Sequence, residues 1–344
     1  MKRPSVRAAG AALALAAAFA TALAPATVLA WGSTGHRFVG ELAMRALPAD
    51  LPGFLHTPQA ALDVGEFSRE PDRVKGAGRT YDNDLDPGHF LDLSDDGTVL
   101  GGPTLAGLPN TRAEFETQLR AVNQNSWKSG YLPYSILENY QKLARDFAYW
   151  RVLDAAEKNP AWSVHKTFFA NDRRRREAQI LQTIGMLSHF VGDGSQPLHM
   201  TVHFNGWGDF PNPQGFTTAR IHAPFESDMV LASVTEPMVQ AKMAPPKDCH
   251  CAIQKRIADY LAATGTQVIP LYQLEKAGGM ASGDPRGPAF AAQLIAVGAS
   301  ELRDMIAEAW KLSATESLGY KPAISVADVL AGKSDPYPAL YGID

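Results

Sequence analysis

This 344-residue chain has two cysteines, Cys249 and Cys251, with a single residue between them. Two thiols so close cannot form a disulfide framework, so the fold must rest on a packed core. A bridge across one residue would close a small ring. A Cys-His-Cys metal site would put three ligands too near one another for tetrahedral zinc, and a plain surface segment is the favoured reading. Positive charge is also scarce: 32 Lys and Arg face 36 Asp and Glu. Three of the basic residues (Lys2, Arg3 and Arg7) lie in the first thirty, leaving 29 − 36 = −7 for residues 31–344. Such a chain is not an electrostatic nucleic-acid binder by default, and affinity for phosphate would have to be local. There is no internal repeat, no convincing linker and no Gly-x-Ser-x-Gly elbow for a serine nucleophile.

Only one long apolar run is present. It spans Ala8 to Ala24, follows a short basic start, and precedes Val28-Leu29-Ala30. That pattern reads as a signal peptide cleaved after Ala30, with a retained anchor as the competing reading. The segment has no twin arginine and no lipid-accepting cysteine, so the general secretory route and a periplasmic or secreted product are expected. No later stretch approaches a bilayer span. Residues 31–344 would then form one domain.

Most of the remainder has helical periodicity. Helices are expected over Arg37–Leu47, from Thr111 to about Val122 with Asn110 as the cap, and over Pro133–Lys158. A further helix is expected to be capped by Asp172, followed by others over His222–Val234, Ala252–Leu271 and Pro288–Leu312. Gly- and Pro-rich loops separate them at Asp95–Pro109, Phe204–Thr218 and Gly278–Gly287. The expected fold is all-α, a single multi-helix domain with long loops.

Within this frame, histidines and acids recur at ligand spacing. His189 and Asp193 are four apart in a helical pattern, so both side chains lie on one face. Pro197 ends the helix and brings His199 round. His222 and Glu226 repeat the four-residue spacing with the same residue types. Imidazole with carboxylate is the ligand set of hydrolytic zinc sites. Upstream are Trp31-Gly-Ser-Thr-Gly-His36 and His89-Phe90-Leu91-Asp92.

These motifs resemble the zinc-dependent superfamily that joins single-strand-specific nucleases with bacterial zinc phospholipase C. The likeness runs from about Trp31 to Glu226. The Trp-Gly-x-x-Gly-His start and the long interval between His199 and His222 are similar to the nuclease branch. The Asn212–Phe216 loop, and Glu226 where nucleases usually have Asp, look more like the phospholipase branch. His203-Phe204-Asn205-Gly206 stands where nucleases carry an Arg-Gly-Gly-Asn stretch.

The resemblance implies three zinc ions. Asp72, His89, His189 and Asp193 would hold the first, and His199, His222 and Glu226 the second. The third would take the Trp31 amine and carbonyl, His36, and Asp193 as a bridge. Asp72 is placed by the likeness of Pro71-Asp72-Arg73-Val74-Lys75 to a segment in which a cation three residues beyond the acid grips the scissile phosphate. Glu66, with Arg69 three residues later, is the rival. Asp72, Lys75 and Asp193 are thus the candidate catalytic residues, and Lys75, Phe90, Asp92 and Asn205 the candidate substrate contacts. Trp207 and Phe210 would either stack on a base or simply pack in their loop, and His203 is held out of the ligand set. Arg173–Arg176 reads first as a solvated face.

The implied activity is hydrolysis of phosphodiesters in single-stranded nucleic acid to 5′-nucleotides by a zinc-activated water. A phospholipase C is the alternative, and a catalytically silent or lectin-like zinc-binding surface protein the alternative of another class. No obligate protein partner is implied.

Overall fold

The computed structural model describes residues 31–75 and 84–342. The expected signal peptide lies outside the described residues. The fold is all-α. In chain order the helices are α1 Gly32–Arg45, α2 Pro58–Phe67, α3 Glu70–Val74, α4 Arg112–Ala121, α5 Ser126–Ser129, α6 Leu132–Lys158, α7 Lys166–Gly194, α8 Val230–Ser233, α9 Glu236–Gln240, α10 Ile253–Gly265, α11 Val268–Lys276, α12 Arg286–Leu312, α13 Val326–Leu330 and α14 Tyr337–Tyr341. A two-residue antiparallel ladder pairs β1 Ser317–Leu318 with β2 Ile324–Ser325. No described helix is long and apolar enough to cross a membrane.

The frame is the hairpin of α6 and α7, joined by the 3₁₀ turn Pro160–His165. Its pairs run in opposite directions along the two helices: Lys142 to Thr183, Arg176 to Asp146 at 2.7 Å, Trp150 to Glu177 at 3.1 Å, Arg173 to Glu157 at 2.7 Å. Arg173 and Arg176 are thus paired with acids of the hairpin, while Arg174 and Arg175 are exposed, the solvated face that was expected. Helices α1, α2 and α12 pack around the far half of α7. Val39, Leu42, Val64, Ile184, Leu187, Ile295 and Leu302 fill that core. A second cluster, with Val152, Trp162, Phe169 and Val329, closes the other end of the hairpin.

Several boundaries differ from expectation. Asp172 is not a cap, because α7 starts six residues earlier at Lys166. Phe169 is buried in the second cluster, and that packing carries the helix past the polar residues that read as its start. Thr111, not Asn110, caps α4, its hydroxyl accepting from the Glu114 N–H while the Glu114 carboxylate returns to the hydroxyl. The helix expected over Ala252–Leu271 is two helices. Pro270 cannot donate to the carbonyl four residues back and its ring crowds that turn, so the chain breaks at Thr266-Gln267 and restarts at Val268. Helix α1 begins at Gly32 rather than Arg37. The segment after His222 is a π-helix over Pro224–Met229 before α8, a widened turn frequent at functional sites.

Cys249 and Cys251 are bonded to each other. Their sulfurs are thus committed to the bridge, and His250 between them is exposed and takes a left-handed backbone conformation.

Candidate metal centre

Five segments converge on the C-terminal end of α7. His189 and Asp193 project from its last turns, and both are fully buried. Helix α1 lies against this turn and delivers His36, also buried. The approach is close: a Cβ at Gly192 would sit 3.0 Å from His36 Nδ1, tighter than ordinary contact, so any larger residue would press on the His36 ring. Short α3 brings Asp72, the following 3₁₀ turn Asp86–His89 brings His89, and the 3₁₀ turn Pro197–His199 brings His199. The widened turn carries Glu226, and His222 stands two residues before its start.

The side chains sort into three groups whose ligand atoms can meet at a common ion: His36 with His189 and Asp193, Asp72 with His89 and His189, and His199 with His222 and Glu226. Their separations discriminate between hydrogen bonding and metal binding. His189 Nε2 is 3.3 Å from Asp193 Oδ2, and His36 Nε2 is 3.5 Å from Asp193 Oδ1. Asp72 Oδ1 is 3.9 Å from His89 Nε2 and 4.0 Å from His189 Nε2, and Glu226 Oε2 is 3.6 Å from His199 Nε2. Two donors on a tetrahedral zinc stand about 3.3 Å apart, given bonds of about 2 Å. Only His222 Nε2, 2.8 Å from Glu226 Oε2, is at ordinary hydrogen-bond range. The Nε2 atoms of His89, His189 and His199, both Asp193 oxygens and Glu226 Oε1 are buried with no hydrogen-bond partner. Burying that many bare polar atoms is costly unless something else satisfies them. The donor set fits divalent metal ions, and Asp193 turns one oxygen to each of two histidines.

The tautomers are fixed by backbone carbonyls, which can only accept. His189 Nδ1–H donates to Ser68 O at 2.8 Å, and His199 Nδ1–H donates to His89 O at 2.6 Å. His89 Nδ1–H faces Leu85 O and Asp86 O at 3.2 and 3.1 Å. Each ring therefore presents a lone pair at Nε2, the arrangement usual for metal-bound imidazole. Burial pushes His89 and His189 well below the usual histidine range, and lowers His199 too, which keeps the lone pairs available. Burial pushes Asp193 well above the carboxylate range, with Asp72 adding to it. Asp72 is pushed up to about 7 by burial, against the pull of Lys75. Burial also opposes ionisation of Glu226, but His222 and His199 outweigh it and hold the carboxyl down to about 2.

The remaining candidates fall into place individually. Lys75 Nζ lies 3.8 Å from Asp72 Oδ1. Glu66, the rival acid, is half exposed and bound to Arg37, Arg69 and Arg73, so it does not enter the cluster. Trp31 is fully buried, and its indole N–H reaches Gly192 O at 2.8 Å and Ser195 Oγ at 2.9 Å, residues flanking Asp193. Its carbonyl accepts from Gly35 N–H. Phe90 and Asp92 follow His89 on an extended segment, where burial pushes the Asp92 carboxyl up to about 7. Asn205 Oδ1 accepts from the His222 N–H at 3.2 Å, so this side chain positions a ligand.

Both ring nitrogens of His203 are engaged, by Trp207 O at 2.9 Å and Asp95 Oδ1 at 2.8 Å, which takes it out of the ligand set. Trp207 is buried and stacked on that ring, consistent with loop packing, whereas Phe210 is exposed at its edge. Gln196 escaped the sequence reading. Its Nε2 donates to Glu226 Oε2 at 2.9 Å and its Oε1 accepts from Leu198 N–H, so it fixes the acid and the turn bearing His199 together. An amide just before Pro-Leu-His was the available signal.

Set beside known proteins, the chain matches no family model and no curated protein.

Proposed function

We propose that the chain is an exported, zinc-dependent phosphoesterase that hydrolyses single-stranded nucleic acid to 5′-nucleotides. The observation that carries this reading is the set of three contiguous groups of buried histidine and carboxylate atoms, among which the Nε2 atoms of His89, His189 and His199 and both Asp193 oxygens lack hydrogen-bond partners, beside one cation, Lys75. Imidazole and carboxylate donors, with Asp193 and Glu226 oxygens at 3.3, 3.5 and 3.6 Å from His189, His36 and His199, favour zinc, and adjacent ions are the usual arrangement for in-line displacement at phosphorus.

Asp72, His89 and His189 would hold one ion. His199, His222 and Glu226 would hold the second. His36, Asp193 and the Trp31 backbone would hold the third, with Asp193 shared. When bound, zinc supplies a water of lowered pKa and neutralises phosphate charge. The chain's own contributions are distinct. Carbonyls of Ser68 and His89 hold the imidazoles in register, and Gln196 and Asn205 hold Glu226 and His222. Lys75 offers an ammonium to a non-bridging phosphate oxygen. The reaction adds water across the P–O3′ bond: oxygen goes to phosphorus, the proton to the departing 3′ oxygen. No side-chain nucleophile is required.

Glu226 and the Asn212–Phe216 loop favour the second reading, a phospholipase C. One assay separates the two: purified protein on single-stranded DNA and on phosphatidylcholine, each with zinc and with chelator. The proposal expects zinc-dependent cleavage of DNA to 5′-phosphorylated products. Release of phosphocholine alone would replace it with the second reading, and inertness on both substrates would favour a catalytically silent zinc-binding protein.

A further inference from the structure

A polar recess of about 580 Å³ lies on the surface between the end of α4 and the start of α5. Its lining includes Glu116, Arg120, Asn123, Gln124, Asn125 and Trp127. Trp127 is 55% exposed, the largest side chain left open to this degree among the described residues. Its indole N–H makes no hydrogen bond within the described protein, and neither do the side-chain amides of Asn123 and Gln124. Glu116 is already occupied, by Arg120 at 3.1 Å and by the Ser126 N–H at 2.9 Å, whereas the Arg120 side chain is 74% exposed. The recess thus offers a flat aromatic face, unspent amide donors and acceptors, and an accessible cation.

The backbone ties this recess to the metal centre. Helical turn α5 runs directly into Gly130, which pairs with Leu91, and Ser129 O accepts from the Asp92 N–H at 2.8 Å. The segment so held begins at His89, a residue of the candidate centre. Three residues of extended chain, about 10 Å, separate His89 from Asp92. Gly130 fixes the apposition: its φ is +73°, and a Cβ there would lie 2.0 Å from the Phe90 carbonyl oxygen. The indole therefore stands on a rigid extension of the site's edge.

We propose that this recess is an accessory subsite for a single-stranded polynucleotide, in which one base stacks on Trp127 while Asn123 and Gln124 meet base edges and Arg120 meets the backbone phosphate. The inference rests on the nucleic-acid reading above and adds to it a preference for chains long enough to reach beyond the metal centre. Base-on-aromatic stacking tolerates any base, so the subsite selects for length more than for sequence.

The test uses the zinc-loaded full protein and compares Trp127→Ala and Trp127→Phe with the parent on a single-stranded dodecanucleotide and on a dinucleotide. Stacking of ordinary strength predicts that Trp127→Ala raises KM for the dodecanucleotide about tenfold with kcat retained, and so lowers the kcat/KM preference for long over short substrate about tenfold. Trp127→Phe should restore most of it. An unchanged preference, or an equal loss on both substrates, overturns the subsite. Should the parent cleave neither substrate, the nucleic-acid reading fails, and binding of labelled dodecathymidylate to the same proteins decides the subsite separately. A Kd raised about tenfold in Trp127→Ala supports it. An unchanged Kd, or binding of a neutral oligosaccharide in place of the oligonucleotide, overturns it.

Discussion

Two buried clusters of charge lie within this helical domain, and their contents differ in one respect. Around Arg256 the network is nearly complete, with Arg303 Nη2 left buried without a partner. The guanidinium donates to Glu301 at 2.6 and 3.1 Å and to Glu308, and Arg303 donates to Asp304 at 2.7 Å and to Ala244 O at 2.7 Å. Backbone N–H groups of Lys247 and Cys249 reach Asp304 and Glu308 at 3.1 and 2.8 Å. Every carboxylate has a donor, and the loop bearing the Cys249–Cys251 bridge is clamped to α12. At the end of α7 three acids, Asp72, Asp193 and Glu226, share a buried space with histidines, of which burial lowers His89, His189 and His199, and many of the acid and imidazole atoms lack partners. A network whose acids all have donors contributes to holding the fold. A network with so many bare donor atoms is one that could hold cations arriving later.

The sharpest way to break this comparison is Asp193→Asn, which removes the charge that faces two groups at once. Activity should fall more than about 100-fold, and more than one zinc should be lost per chain, since second-sphere changes alone cost 10–100-fold. His203→Ala, with both nitrogens already spent within its loop, should leave zinc content unchanged. Damage from His203→Ala equal to that from His199→Ala would mean the ligands around residue 199 are misassigned.

Next in size is the amino terminus. If the Trp31 amine binds metal, protein starting Met-Trp31 should carry one zinc fewer and be largely inactive, because one extra residue displaces the amine by more than a coordination bond of about 2 Å. Equal activity of the two forms, with the methionine confirmed by mass, would remove the amine from the ligand set. Gln196→Ala should cost about 10–100-fold in zinc affinity at the His199–His222–Glu226 group, the range for a residue acting through a ligand. Titration with a competing chelator measures it, and an unchanged affinity would leave Gln196 a merely structural amide. Arg256→Ala should do the reverse. Stripping a buried pair of one partner destabilises the fold by about 3–5 kcal/mol, seen in denaturant unfolding, while zinc content stays the same. A variant that lost zinc would show the two clusters to be coupled.

Much of this site was legible in the sequence because its spacing is local. His189 with Asp193, and His222 with Glu226, stand one turn apart, and no tertiary knowledge is needed to see that each pair shares a face. The choice of Asp72 over Glu66 was legible only through the likeness of its segment, for what holds Glu66 away is Arg37 from α1 together with its near neighbours Arg69 and Arg73. Gln196 was missed because an amide has no ligand signature of its own. The Arg256 network escaped for another reason. Glu301, Asp304 and Glu308 recur along one stripe of a largely apolar helix, a pattern that asks for a buried cation, but the arginine that answers Glu301 and Glu308 lies 45 residues upstream of Glu301. The helix starts at Lys166 and Val268 were misjudged where packing of Phe169, or the missing N–H of Pro270, outweighed the local caps.

The central claim is that the unpartnered atoms at the end of α7 are metal ligands. Elemental analysis of protein that begins at Trp31, purified without chelator and normalised to chain concentration, tests it most directly. The account predicts about three zinc ions per chain. One ion or none, in protein that is folded by its melting transition, would contradict it.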